Sequence, residues 1–159
     1  MTVAAVAVVG AGMACDSSRT GEVSRDGQVI IATIRDVLSE QPPPADPDDL
    51  PVVFVVGVGE QAIAADVQAE VLRELDEDAH VRFADERDEA VDEGEAHVPV
   101  IDAGVLLVLG EVADSGATVE VVVEVYRSDQ DWSRRVLTIA SGPSQWTVTS
   151  ASVLPADDA

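Results

Sequence analysis

The side chains best suited to acid–base or metal chemistry are two histidines and the carboxylates near them. Asp76, Asp78 and His80 alternate along one short stretch, and His97 follows an acidic loop at residues 84–96. Carboxylates and imidazoles hold metal ions at suitable spacings. This spacing lacks the central glycine and the final glutamate of a calcium-binding loop, so we expect no metal. We interpret residues 84–96 as a solvated acidic loop and both histidines as surface or strand-end residues.

Motifs for nucleophilic or metal-assisted catalysis do not occur in the sequence. There is no G-x-S-x-G elbow, no H-E-x-x-H pair and no Walker loop. Paired carboxylates carry no information here, because about one residue in five is acidic. We therefore expect no catalytic residue and no cofactor, and we predict a non-enzymatic function.

A glycine-containing turn, GVGEQA at residues 57–62, follows an apolar strand and precedes a helix. This G-x-G-x-x-A pattern suits a pyrophosphate at a helix N-terminus. Glu60 would place a negative charge at that point, and no further alternation of strand and crossover helix follows, so we favour a simple tight turn. A small-molecule or nucleotide-binding domain, or an enzyme, that uses the turn from Gly57 to Glu60 is the alternative function. A structural protein with no ligand is another.

The N-terminal residues carry the only cysteine of the chain. A short apolar segment at residues 2–9 leads into GAGMAC, which ends at Cys15. Small residues before a lone cysteine resemble the lipobox of bacterial lipoprotein signals. The resemblance implies that Cys15 carries the lipid and that the protein is anchored in the cell envelope or secreted. If the match is accidental, we expect a cytoplasmic protein. VAVVGAGMAC also resembles the opening of a dinucleotide-binding domain, but polar residues 16–21 follow where an apolar-faced helix is required.

The charge of the chain restricts its partners. Nine basic residues, all arginine, stand against 31 acidic residues and give a formal charge of −22. Such a surface repels nucleic acid and anionic lipid headgroups, so we expect no nucleic-acid partner and a membrane contact through the lipid anchor alone. Genome-wide replacement of lysine by arginine, or adaptation to high salt, also explains the composition.

The folded part begins with a helix that Ser24 or Asp26 caps and that the prolines at 42–44 end. Its apolar stripe is Ile30, Ile31, Ile34, Val37 and Leu38. A buried strand at residues 52–58, a second amphipathic helix and a strand at residues 80–83 follow, which indicates a βαβ unit. The stripe of the second helix is Ile63, Val67, Val71 and Leu75.

Four β-rich runs separated by turn residues predict an antiparallel meander in the C-terminal half. The runs are residues 105–112, 118–126, 132–140 and 145–153. Pairing Tyr126 with Trp132 sets the register of the neighbouring strands. The predicted pairs include Glu124–Arg134, Val121–Leu137, Val119–Ile139, Leu109–Val121, Leu107–Val123, Ile139–Trp146 and Leu137–Val148. One sheet face is then apolar and packs on the helices. It consists of Val105, Leu107, Leu109, Val119, Val121, Val123, Val125, Leu137, Ile139, Trp146 and Val148.

The opposite sheet face combines polar side chains with an apolar group, which is typical of a binding surface. Tyrosine, tryptophan and arginine are enriched at binding hot spots. We predict that the face binds a protein partner or a second copy through Tyr126, Trp132, Arg134, Val122, Val136 and Leu106. Ordinary cross-strand pairing, with Glu124 bound to Arg134, is the alternative explanation, and so is cover by the N-terminal segment.

Together these patterns predict an α+β fold, with two helices packed on one face of a mixed sheet. The sheet is a βαβ unit followed by a four-stranded antiparallel meander. We expect a signal-like segment and polar linker at residues 1–26 and a single domain at residues 27–159. The order of elements resembles small envelope-lipoprotein domains, such as the N-terminal domain of TolB and curli-secretion lipoproteins. That resemblance implies an assembly or accessory role.

Overall fold

The computed structural model describes residues 23–42, 46, 49–57, 62–115 and 117–155. Cys15, the GAGMAC segment and most of the turn after Gly57 lie outside these residues, so the predictions made for them stay predictions.

The first helix, α1, spans Arg25–Ser39 and begins two residues before the predicted domain boundary at Gly27. The hydroxyl of Ser24 caps it by accepting a hydrogen bond of 3.1 Å from the Gly27 backbone N–H. This cap satisfies one of the amide groups that the first turn leaves without a helical partner. Of the predicted stripe, Ile30, Ile31, Ile34 and Val37 are buried, and Leu38 packs at its margin.

The predicted βαβ unit is confirmed. Strand β1 spans Val52–Gly57, helix α2 spans Ala65–Glu74 and strand β2 spans His80–Phe83. β1 pairs in parallel with β2, from Val52 opposite His80 to Val55 opposite Phe83. All the interior residues of β1 are buried, because helices cover one of its sides and a loop covers the other.

The meander is also confirmed, with longer strands than predicted. The four strands are β3 (Val105–Ser115), β4 (Thr118–Ser128), β5 (Asp131–Ser141) and β6 (Trp146–Leu154). The strand order is β2-β1-β3-β4-β5-β6, and β3 lies parallel to β1 on the side away from β2. The sheet is therefore mixed, with a parallel half and an antiparallel half.

The predicted β4–β5 register is correct, whereas the registers on either side of it are wrong. Leu109 pairs with Val123, two residues beyond the predicted partner, because the β3–β4 turn lies further along the chain than predicted, with Ser115 opposite Thr118. A bulge between Leu109 and Val112 then changes the register by one residue. Ile139 pairs with Val148 because the β5–β6 turn lies further along the chain than predicted, with Ser141 opposite Trp146. The irregularity beside Thr138 adds one residue in β6 and sets Leu137 opposite Ala151. A bulge inserts one residue and leaves the local pattern of hydrophobicity readable on both sides of it.

The apolar face survives these register changes and forms the main core. Every residue predicted for it is buried or packs against the buried cluster, with Trp146 and Val148 at the margin. α1 and α2 supply the other half of this cluster through Val67, Val71 and Leu75 and the α1 stripe. The fold is α+β, with two helices on one face of a mixed sheet, as predicted.

Residues 84–104 connect β2 to β3 and cross the sheet on the side away from the helices; we call them the crossover segment. Two 3-10 turns, Arg87–Ala90 and Ile101–Ala103, lie within it. Ala90, Val91 and Val100 are buried in it against the sheet. The prediction of a solvated acidic loop is therefore wrong in part, because the carboxylates face solvent while this apolar group covers the sheet.

Candidate protein-binding surface

The side of the sheet away from the helices, which we call the outer face, holds all six residues predicted to contact a partner. Leu106, Tyr126 and Trp132 lie side by side in one row across β3, β4 and β5. Leu106 is 0% exposed and Tyr126 is 4% exposed. The crossover segment packs over both of them, and over Phe54 and Val56 of β1 as well. Their predicted role in binding a partner is thus corrected: both belong to a second core cluster.

Tyr126 fastens the crossover segment to the sheet. Its hydroxyl donates a hydrogen bond of 2.8 Å to the carbonyl oxygen of Val98. The guanidinium of Arg87 lies 4.0 Å from the centre of its ring, within the range of a cation–π contact. The tyrosine therefore has its ring covered and its polar end satisfied, as expected for a buried tyrosine.

Glu124 bonds to a different arginine from the one predicted. Glu124 and Arg134 are opposite each other in register, as expected. The carboxylate instead accepts a hydrogen bond of 2.7 Å from Nη1 of Arg87. Among the described residues Arg134 forms no ion pair, and it is exposed. Its guanidinium is thus available to a partner.

The part of the outer face beyond the crossover segment stays open. We call it the Trp132 surface, and it consists of Val122, Trp132, Arg134 and Val136, with Val108 at its margin, where it packs against the second core cluster. The indole of Trp132 is 45% exposed, and the three valines are partly exposed. The structure therefore brings together four of the six predicted residues as a solvent-accessible group.

The backbone of the crossover segment is unusual at its second half. His97, Val98, Asp102 and Ala103 all have left-handed conformations, with φ between 43° and 68°. A β-branched residue such as Val98 rarely adopts this region. Tertiary hydrogen bonds on either side hold Val98 in this conformation. The His97 carbonyl accepts a hydrogen bond from the Asp129 N–H, and the Val100 N–H donates a hydrogen bond to the Arg127 carbonyl.

A shallow pocket of about 390 Å³ opens where the crossover segment meets β4. Its lining is Glu86, Arg87, Asp88, Val91, Glu93, Val98 and Tyr126. The acidic rim would suit a cation, but the Arg87 guanidinium already occupies the face of the aromatic ring. The pocket therefore lies along the internal contact between the crossover segment and β4.

The two histidines lie apart on the surface, as predicted. His80 begins β2, and His97 Nδ1 lies 3.4 Å from a carboxylate oxygen of Asp129. Within the described residues no three potential ligands from histidine, cysteine, aspartate and glutamate gather at one point. None of the helices formed by those residues has the length and apolar character needed to cross a bilayer.

Sequence reasoning missed Arg87, Ala90 and Val91, which build the cover over Tyr126. A signal for them existed. Arg87 is the only base within residues 84–96, and Ala90-Val91 is the only adjacent apolar pair in that run. A lone base and a lone apolar pair in an acidic segment indicate a docked loop, because a fully solvated loop needs neither.

Comparison of the chain with protein-family models, with curated proteins and with solved structures found no significant match. The resemblances to bacterial lipoproteins and to TolB-like domains therefore remain expectations from the sequence.

Proposed function

We propose that this protein is a non-enzymatic, lipid-anchored domain of the bacterial cell envelope that binds a protein partner through the Trp132 surface. One observation carries the binding proposal. A half-exposed tryptophan lies on the same sheet face and strand as an arginine that has no carboxylate partner among the described residues. Exposed aromatic area beside an uncommitted guanidinium is the chemistry of binding hot spots.

The neighbouring contacts explain why this arginine is uncommitted. Arg87 binds the Glu124 carboxylate that stands opposite Arg134, so the acid that faces Arg134 across β4 and β5 is already paired. Arg134 therefore suits an incoming carboxylate. Trp132 and the partly exposed valines suit an apolar side chain of the same partner. The expected partner thus presents an apolar anchor next to an acidic group.

The binding proposal can be tested by crosslinking and affinity recovery from the native envelope with a double variant, Trp132→Ala with Arg134→Glu. We expect recovery of a specific partner to fall at least tenfold, because hot-spot residues each contribute about 2 kcal/mol or more. The matched control is Leu72→Ala with Arg73→Glu on α2. Leu72 is 43% exposed, and Arg73 also forms no ion pair among the described residues.

The control variant makes the same change in net charge and also removes an exposed apolar side chain, but on helix α2 instead of the Trp132 surface. Equal recovery by the wild type and the Trp132/Arg134 variant would remove this surface from the proposal. An equal loss in both variants would assign the effect to net charge.

The anchor is supported by the lipobox resemblance at Cys15. We expect radiolabelled fatty acid to enter the wild-type protein in a bacterial host and to be absent from Cys15→Ser. Wild-type protein that is unlabelled and stays in the cytoplasm would contradict the anchor. That result would leave the Trp132 surface untouched.

A further inference from the structure

The C-terminal part of the chain holds a long stretch without any charged side chain. One residue in four is charged overall, yet residues 136–156 contain no aspartate, glutamate, lysine or arginine. In the fold this stretch forms the second half of β5, the loop at 142–145 and all of β6. The charge-free stretch is therefore concentrated at one place, the β6 edge of the sheet.

Within the described residues β6 pairs with β5 on one side and with no strand on the other. An open edge offers unpaired N–H and C=O groups to another strand, and proteins usually protect such edges with short strands, lysine, proline or other charges. The opposite edge, β2, is protected in this way, with four residues that include His80 and Arg82. β6 has nine residues and none of these side chains.

One protective feature is present on β6, but it covers half of the strand. Thr149 is the extra residue between the pairs Thr138–Ser150 and Ile139–Val148. A bulge twists an edge and discourages pairing locally. Residues 150–154 beyond it continue in regular register with β5, and Val153 among them is 69% exposed. This five-residue segment is therefore the part of the edge available to another strand.

The absence of charge identifies the occupant. A basic partner would be attracted to acidic surface, which β6 does not offer. A partner that is itself strongly acidic needs a contact free of carboxylates, since like charges facing each other across strands are unfavourable. A second copy of this chain, with its own charge of −22, is such a partner.

We propose that two copies pair antiparallel along residues 150–154 of β6 and form one continuous sheet across a two-fold axis. An isologous contact of this kind uses the same patch on both subunits. The proposal is independent of the partner-binding function above, because it uses the strand edge and leaves Trp132 and Arg134 on the outer face.

Sedimentation velocity of the full, unlipidated chain tests the pairing, with a reducing agent present to exclude a Cys15 disulfide. We expect the dimer fraction to rise with concentration and also with NaCl. Salt strengthens this contact because the Debye length falls from about 14 Å at 0.05 M to about 3 Å at 1 M, which screens the repulsion between the two acidic bodies. A complex with a basic partner would weaken instead.

The discriminating variant is Ser152→Glu, which places a carboxylate of each copy at the shared edge. We expect it to weaken association on the order of fivefold or more, since the like charges cannot avoid each other across paired strands. Ser144→Glu adds the same charge in the β5–β6 loop and should associate as the wild type does. Circular dichroism of both variants verifies that the fold is kept.

Three outcomes would overturn the pairing. The first is wild-type protein that stays monomeric up to about 0.3 mM in 1 M NaCl. The second is equal association by Ser152→Glu and Ser144→Glu. The third is loss of the dimer in the Trp132→Ala, Arg134→Glu variant, which would assign self-association to the outer face.

Discussion

Single residues at the end of α1 show how this acidic chain tolerates its own charge. Arg135 on β5 binds both carboxylate oxygens of Glu40 at 2.7 Å, which ties the end of α1 to the sheet. Asp36 lies one turn earlier and accepts no such hydrogen bond from Arg135. Partial burial raises its pKa above the ordinary value, the nearby charge of Glu40 raises it further, and Arg135 lowers it only in part. Asp36 therefore destabilises the fold when it is ionised.

The substitution Asp36→Asn should raise the free energy of unfolding at pH 7 by about 0.5 kcal/mol, a modest gain because the carboxyl is partly solvated. A raised folded pKa means that the folded state binds a proton before the unfolded state does as the pH falls. The penalty is thus complete at neutral pH and vanishes below the ordinary aspartate pKa. Urea unfolding near pH 7 and near pH 3.5 should show the gain at the first value alone.

Asp26 provides the control for that measurement. It lies in the first turn of α1, where a negative charge favours the helix dipole. Asp26→Asn should leave stability unchanged or lower it slightly. A gain from both substitutions would show that general charge reduction, and not the setting of Asp36, is responsible.

At the scale of elements, the crossover segment divides the outer face into a covered half and an open half. Leu106 lies beneath it and is fully buried, while Val136, two strands away on the same face, remains partly exposed. The crossover segment covers half of the outer face, just as the two helices cover the inner face. Each side of β1 is thus protected by a different part of the chain.

Alanine substitutions measure this division directly. Leu106→Ala should cost about 2–5 kcal/mol, because it removes a fully buried side chain and leaves a cavity. Val136→Ala should cost less, about 1 kcal/mol, because valine loses fewer atoms than leucine and Val136 keeps part of its surface in water. The two losses are compared as shifts of the urea unfolding midpoint, at an unchanged dependence of the unfolding free energy on urea concentration. Similar small losses at both positions would contradict the covered half.

The same division marks how far the sequence could predict the fold. Periodicity alone placed α1, β2 and the apolar inner-face residues of the four C-terminal strands, because the helices and the sheet bury one continuous apolar set. It did not predict the bulges beside Gly110 and Thr138, since an inserted residue leaves the pattern on each side intact. It also missed the covered half of the outer face, because eight acidic residues conceal Ala90 and Val91 in the crossover segment.

The candidate site was predictable to a similar degree. Trp132 and Arg134 were identified correctly as exposed neighbours, because strand alternation decides which face a side chain occupies. The availability of Arg134 was not predictable. It depends on Arg87, which lies 37 positions before Glu124 in the sequence and reaches its carboxylate only in the fold.

At the scale of the whole molecule, a charge of −22 on 159 residues opposes compaction. Most of the ion pairs among the described residues are exposed or half-exposed, and each of these contributes about 0–1 kcal/mol. The less exposed Arg135–Glu40 pair is a single contact, so together they do not balance this repulsion. Screening should therefore stabilise the fold. We expect the thermal midpoint to rise steadily between about 0.02 M and 0.5 M salt.

Thermal unfolding at about 1 µM protein, low enough to suppress self-association, checks this expectation. NaCl and KCl at equal ionic strength should give the same rise, because screening does not depend on which monovalent cation is present. A midpoint that does not change with either salt would refute the role assigned to net charge.

The packing of α1 against β5 and β6 has a consequence for biosynthesis. The helix leaves the ribosome roughly 100 residues before the strand that it packs on, an interval of about 5 to 20 s at ordinary elongation rates. During that time α2 is already available to pack against α1, whereas the β5 and β6 part of the sheet that the helix covers is absent. The cover of the helix is therefore complete only after the C-terminal strands have left the ribosome.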